Sequence, residues 1–85
     1  MEALADGAVY AGLPRQKAQR YAAQMLLGTA KLALEGGGHT AAMKDAICSP
    51  GGTTIAGVRT LEQRGFRAAA MDAVIAAYER TKALQ

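Results

Sequence analysis

The sequence has no tryptophan, one phenylalanine and three tyrosines, so it cannot assemble a core of large aromatic side chains. Its one cysteine, Cys48, excludes an internal disulfide and suits a reducing compartment. His39 is the only histidine, and together they make no credible zinc-ligand set. Proline occurs twice, at Pro14 and Pro50. No long apolar run is present. The most apolar stretch, Met25 to Leu34, is interrupted by Gly28, Thr29 and Lys31 and is too short to span a bilayer. The opening Met-Glu-Ala-Leu-Ala-Asp-Gly lacks the basic segment of a signal peptide, so no membrane partner and a cytoplasmic location are expected. No segment alternates apolar and polar residues as a half-buried strand does.

What is there is alanine, leucine and charge. Hydrophobic residues make up 51% of the 85, which is enough for one domain. A chain this short buries only about 60–65% of its unfolded surface, so a core of its own would be marginal. Alanine is the best helix former but a poor core filler. Such a chain gains stability by close helix packing, often against a second copy of itself. Ten Lys and Arg against seven Asp and Glu leave a net charge of +3. Arg15, Lys17 and Arg20 form one tight basic group; Arg59, Arg64 and Arg67 form a looser one. Neither is interleaved with stacking aromatics, so the charges read as solvated helix faces and nucleic acid is not an expected partner.

The periodicity predicts an all-α chain of five helices, with no internal repeat. The first runs from Glu2 to Ala11 and starts without a capping residue, as the tail of a longer, cut helix would. Gly12-Leu13-Pro14 breaks it, with Pro14 suited to the first position of the next helix. That helix runs from Pro14 to Glu35. Its polar residues Lys17, Arg20, Gln24, Lys31 and Glu35, with Gly28 among them, fall on one narrow stripe. Nearly everything else from Tyr21 to Leu34 is apolar or small. A helix wet on one narrow face is covered on several sides, which implies a partner chain and an interleaved homodimer. Gly36-Gly37-Gly38 is a stop with a left-handed residue to offer. A short helix follows from His39-Thr40 to Ile47, with Thr40 as its N-cap. A fourth runs from Thr53 to Arg64 with Ile55, Val58 and Leu61 inward, and Gly65 ends it. The fifth runs from Phe66 to Leu84, with Met71, Val74, Ile75 and Tyr78 recurring at three and four.

One run stands apart from this packing material: Cys48-Ser49-Pro50-Gly51-Gly52-Thr53-Thr54-Ile55-Ala56-Gly57. Pro-Gly-Gly cannot continue a helix, and the threonines open one. Adjacent glycines can turn their N–H groups toward a common point, and a helix start adds partial positive charge there. Together they suit an anion such as a carboxylate or phosphate, with two threonine hydroxyls at the rim. A plain helix–helix connection, with the threonines as caps, is the competing reading. The run is no Walker loop, because no lysine follows the glycines in the required place. It is no dinucleotide fingerprint either, because no strand precedes it. His39 reads as a helix-start or surface residue rather than a general base. Cys48 reads as a small packing residue, Lys44 and Asp45 as a solvated pair, and Ala68 to Ala77 as a close-packing helix surface.

The run from Met43 through Cys48-Ser49-Pro50-Gly51-Gly52-Thr53-Thr54-Ile55-Ala56-Gly57-Val58 to Leu61-Glu62 closely resembles the signature of pyrroline-5-carboxylate reductase. Ala5-Asp6-Gly7-Ala8, Gly12-Leu13-Pro14, Leu27-Gly28-Thr29-Ala30-Lys31 and Gly65-Phe66-Arg67-Ala68-Ala69 extend the resemblance over essentially all 85 residues. It implies the family's α-helical dimerisation domain, of the kind found at the C-terminus of 6-phosphogluconate dehydrogenase, spanning residues 1–85 without the N-terminal dinucleotide-binding domain. It also implies the family reaction, reduction of 1-pyrroline-5-carboxylate to L-proline by NADPH or NADH in proline biosynthesis. Ser49, Gly51, Gly52 and Thr53 would cradle the substrate carboxylate, and Thr54, the residue closest to the chemistry, would hydrogen-bond the ring nitrogen. The site would be completed where two subunits meet, in a homodimer or an oligomer of dimers. The chain alone is expected to bind no dinucleotide and to reduce no substrate. A stand-alone helical dimerisation module without catalysis is the alternative, and a small-molecule sensor that kept the pocket a weaker one.

Overall fold

The computed structural model describes residues 1–36 and 38–85. Among them are five helices: α1 (Glu2–Tyr10), α2 (Arg15–Leu34), α3 (Thr40–Ile47), α4 (Thr53–Gln63) and α5 (Phe66–Ala83). No strand occurs among the described residues, and the all-α expectation holds, with helix ends within a residue of those predicted. None of these helices is long and apolar enough to cross a membrane. The chain forms two compact units, Met1–Met43 and Lys44–Gln85.

The first unit is built on the α1–α2 hairpin. Its core is three alanines, Ala5, Ala18 and Ala22, where side chains of one methyl let the helices approach closely. The turn between the helices is a Schellman motif. Leu13 N–H donates to Ala8 O at 3.0 Å and Gly12 N–H to Val9 O at 2.9 Å. Gly12 itself sits at φ +110°, where an L side chain is strained. Arg15 reaches back across the turn to Asp6. Both side chains are about half exposed or more, so the pair orients the hairpin and adds little stability. Gly12→Ala is therefore expected to destabilise the domain by about 1–2 kcal/mol, read as a lowered midpoint in thermal unfolding.

Pro14 does not occupy the first helical position. Its ψ of 143° places it outside α2 as the N-cap residue, and its carbonyl accepts the Ala18 N–H at 2.9 Å. A residue without an N–H costs the helix no hydrogen bond at either position. At the other end, Glu35 N–H donates to Lys31 O at 2.9 Å and Gly36 turns the chain away at φ +92°. Of the three-glycine stop, Gly37 lies outside the described residues.

The cap of α3 also differs from expectation. Thr40 is the first helical residue, and His39 caps the helix. Its Nδ1 accepts the Ala41 N–H at 3.2 Å, and its carbonyl accepts the Met43 N–H at 3.0 Å. Imidazole reaches the second helical amide as a shorter polar side chain would. The threonine hydroxyl is one residue too late for that geometry.

The second unit has no buried residue. Gly65, at φ 72° and ψ 32°, closes α4 and serves as the N-cap of α5. Its N–H donates to Glu62 O at 3.2 Å and its carbonyl accepts Ala69 N–H at 2.9 Å. Arg67 adds a 2.8 Å ion pair to Glu62 across this junction. The residues expected to point inward are not covered within the chain. Val58 is half-buried, but Ile55 is 38% exposed and Leu61 48%. The α5 ridge of Met71, Val74, Ile75 and Tyr78 is exposed throughout. The Lys82 ammonium lies 5.8 Å from the Tyr78 ring centroid. The physical reason is geometric: in a pair of helices each covers only one side of the other, which leaves most of the larger side chains without a neighbour. The same holds for α2, where Tyr21, Met25, Leu26, Leu27, Leu32 and Leu34 are all exposed.

Candidate functional site

The site is built where α3 ends and α4 begins. Cys48 N–H donates to Asp45 O at 3.2 Å, closing α3 with a tight last turn. Ser49, Pro50, Gly51 and Gly52 then form a β-turn. Gly52 N–H donates to Ser49 O at 3.1 Å, Pro50 supplies the fixed φ at the second position, and Gly51 supplies φ +69° at the third. That is the residue pattern of a type II turn. It explains why proline precedes glycine here, and it consumes one amide that the sequence offered as a ligand donor.

Gly52 has an ordinary extended backbone, φ −81° and ψ 178°, so conformational freedom is not its role. Space is. A Cβ at this position would strike Ser49 Oγ and lie 3.3 Å from Ser49 O. The missing side chain is what lets the serine hydroxyl sit over the start of α4.

The first turn of α4 has no side-chain cap. Its first backbone bond runs from Ala56 N–H to Gly52 O at 3.4 Å, which leaves the amides of Thr53, Thr54 and Ile55 without a helical acceptor. The Ile55 amide is a donor that sequence reasoning missed; only the exact helix start reveals it. Thr60, further along α4, ties its hydroxyl to Ala56 O at 3.2 Å. Among the described residues, no such bond ties Ser49, Thr53 or Thr54. The α4 start therefore presents three amides, the positive end of a helix and three hydroxyls within the seven residues Ser49 to Ile55. Such a set can receive an anionic group and fix a neighbouring polar atom.

The other singled-out residues lie apart from this set in role. Lys44 and Asp45 pair with each other at 2.9 Å, as a solvated pair should. Cys48 is a free, half-buried thiol. His39 is engaged as the α3 cap.

The structure is thus an all-α domain with exposed apolar helix faces and a glycine-preceded helix start that has no side-chain cap. Comparison with known proteins gives the lineage. Residues 1–84 match the family model described as pyrroline-5-carboxylate reductase dimerisation, and the chain belongs to that family. It is 51% identical over 84 residues to the pyrroline-5-carboxylate reductase of Escherichia coli, covering 99% of this chain and 31% of that protein. With the enzyme of Synechocystis the identity is 58%, over 99% of this chain and 32% of that protein. The crystal structure of Plasmodium falciparum pyrroline carboxylate reductase with NADP bound superposes with a TM-score of 0.92 at 35% identity, covering 96% of this chain and 33% of that one. The chain thus spans about a third of the length of the relatives it matches.

Proposed function

We propose that this chain is the dimerisation and substrate-carboxylate-binding domain of a pyrroline-5-carboxylate reductase, reducing 1-pyrroline-5-carboxylate to L-proline. The observation that carries this reading is the uncapped α4 start behind the Ser49–Gly52 turn, in a chain matching the family over residues 1–84. The substrate's carboxylate suits the amides of α4 and the Ser49 and Thr53 hydroxyls. Gly51 turns the chain into position and Gly52 leaves room for Ser49. Thr54 hydrogen-bonds the ring nitrogen and so fixes the orientation of the C=N bond. This division of labour is positioning: the domain holds the reacting atoms in one geometry.

A nicotinamide dinucleotide does not fit these residues. The glycine-rich turn follows a helix and not a strand, and no strand occurs among the described residues. We place the cofactor, NADPH or NADH, in a further domain of the reductase, and the reducing equivalent comes from it. The partner in assembly is a second copy of this chain, in a cytoplasmic homodimer whose apolar helix faces cover one another. Oligomers of such dimers are compatible with the same surfaces.

Thr54→Ala, made in a reductase carrying this domain, is expected to lower kcat/KM by roughly 10- to 100-fold, the loss of one hydrogen bond to a charged or polarised substrate. Thermal unfolding is expected to be unchanged, because among the described residues no hydrogen bond holds the Thr54 hydroxyl. Steady-state kinetics at varied substrate concentration make the test, and wild-type values would remove Thr54 from the site.

A further inference from the structure

The middle of α4 holds a glycine that packing within the chain does not explain. Gly57 lies inside the helix Thr53–Gln63, where glycine is less favourable than alanine by about 2- to 5-fold in equilibrium. It is not among the glycines with positive φ. Beyond its own helix backbone, a Cβ there would meet no heavy atom within 4 Å among the described residues. Neither backbone angle nor crowding in the chain therefore calls for glycine.

The surface that a side chain here would cover supplies a reason. Gly57 follows Thr53 by four residues and Thr54 by three, so the three share one face of α4. Helical side chains lean toward the N-terminus and cover the turn before their own Cα. A long side chain at position 57 would therefore lie over Thr53 and Thr54. Leu61, four residues further along this face, is 48% exposed and borders the opening with aliphatic carbon. The face thus runs from two hydroxyls, through open space, to an apolar side chain. That order matches a molecule with a carboxylate and a ring nitrogen at one end and only methylenes at the other.

We propose, on the reading of the α4 start as the carboxylate site, that Gly57 is a specificity-determining residue. Its lack of a side chain makes room for the ring methylenes of a cyclic imine carboxylate held at Thr53 and Thr54. The size of residue 57 sets the largest ring that the site admits.

The test uses a reductase carrying this domain and two substrates, 1-pyrroline-5-carboxylate and its homologue with one more ring methylene. Gly57→Ala places its methyl in open space, so its thermal midpoint is expected to rise. Gly57→Leu is expected to stay folded and to sediment as the parent does. Its kcat/KM for the five-membered ring should fall by roughly 10-fold, mainly through KM, and for the larger ring by at least a further 10-fold, the scale of one methylene in a fitted pocket. A merely structural role would lower both substrates alike. Equal losses on the two rings, a changed sedimentation coefficient in Gly57→Leu, or a lowered midpoint in Gly57→Ala overturns the proposal; the second result would assign Gly57 to contact between copies. Wild-type kinetics in Gly57→Leu beside an impaired Thr54→Ala overturn this proposal alone. Wild-type kinetics in Thr54→Ala overturn the site reading and this proposal with it.

Discussion

Ile75→Asp is expected to abolish self-association and, with it, most of the helical signal of the chain. Ile75 sits with Met71, Val74 and Tyr78 on one ridge of α5, and the four are 50–71% exposed. Nothing in the second unit is buried, so its helices have no core to fall back on. Burying an unpaired carboxylate in an interface costs several kcal/mol per ion. In a two-fold dimer it would be incurred on both sides. Sedimentation velocity should show the parent as a dimer and the variant as a monomer, and far-UV circular dichroism should show a matching loss of helix. The parent itself should unfold at a temperature that rises with protein concentration, as a fold completed by association must. Arg80→Gln, on the opposite side of the same helix, is the control and should associate normally. An Ile75→Asp chain that sediments as the parent would take this ridge out of the interface.

The second large effect is expected at Gly52. Gly52→Ala should leave the fold standing and disable the site. Its backbone angles suit any residue, so the stability cost is that of a poorer N-cap, about 1 kcal/mol or less. The added methyl would meet Ser49 Oγ and press on Ser49 O. The serine side chain has room to yield only by rotating, which carries its hydroxyl away from the α4 start. A displacement of that order is expected to lower kcat/KM by about 100-fold. The double-mutant cycle locates the cause. In a Ser49→Ala background the hydroxyl is gone, and Gly52→Ala should then add little further loss. Full additivity would show that Gly52 acts by some route other than Ser49.

Most of the architecture is written in residues that punctuate. Gly12, Gly36 and Gly65 all lie where the chain needs a left-handed residue, and the helices run between them. The periodic stripe of α2 also announced a surface that one chain cannot cover, whereas the α5 periodicity announced only a helix. Less legible were choices between two adequate residues. His39 and Thr40 can both cap a helix, and which does so depends on where the first helical torsion falls. Pro14 tolerates two positions for the same reason. In the candidate site, Pro50-Gly51-Gly52 and the threonines were visible as a turn and a helix start. Which amides the turn uses internally was not. The Gly52 N–H is taken by Ser49 O, whereas Ile55, whose side chain suggests nothing but packing, contributes an open amide.

The shared glycine between α4 and α5 has a consequence for how the domain tolerates change in length. With one residue closing the first helix and opening the second, no slack separates them. Inserting a single residue into α5 just after Gly65 would turn everything beyond it by about 100° and carry the Met71–Tyr78 ridge a quarter-turn off its bearing. Substitutions along either helix leave that bearing intact. The junction works as a fixed coupling, so length variation has to be absorbed elsewhere in the chain.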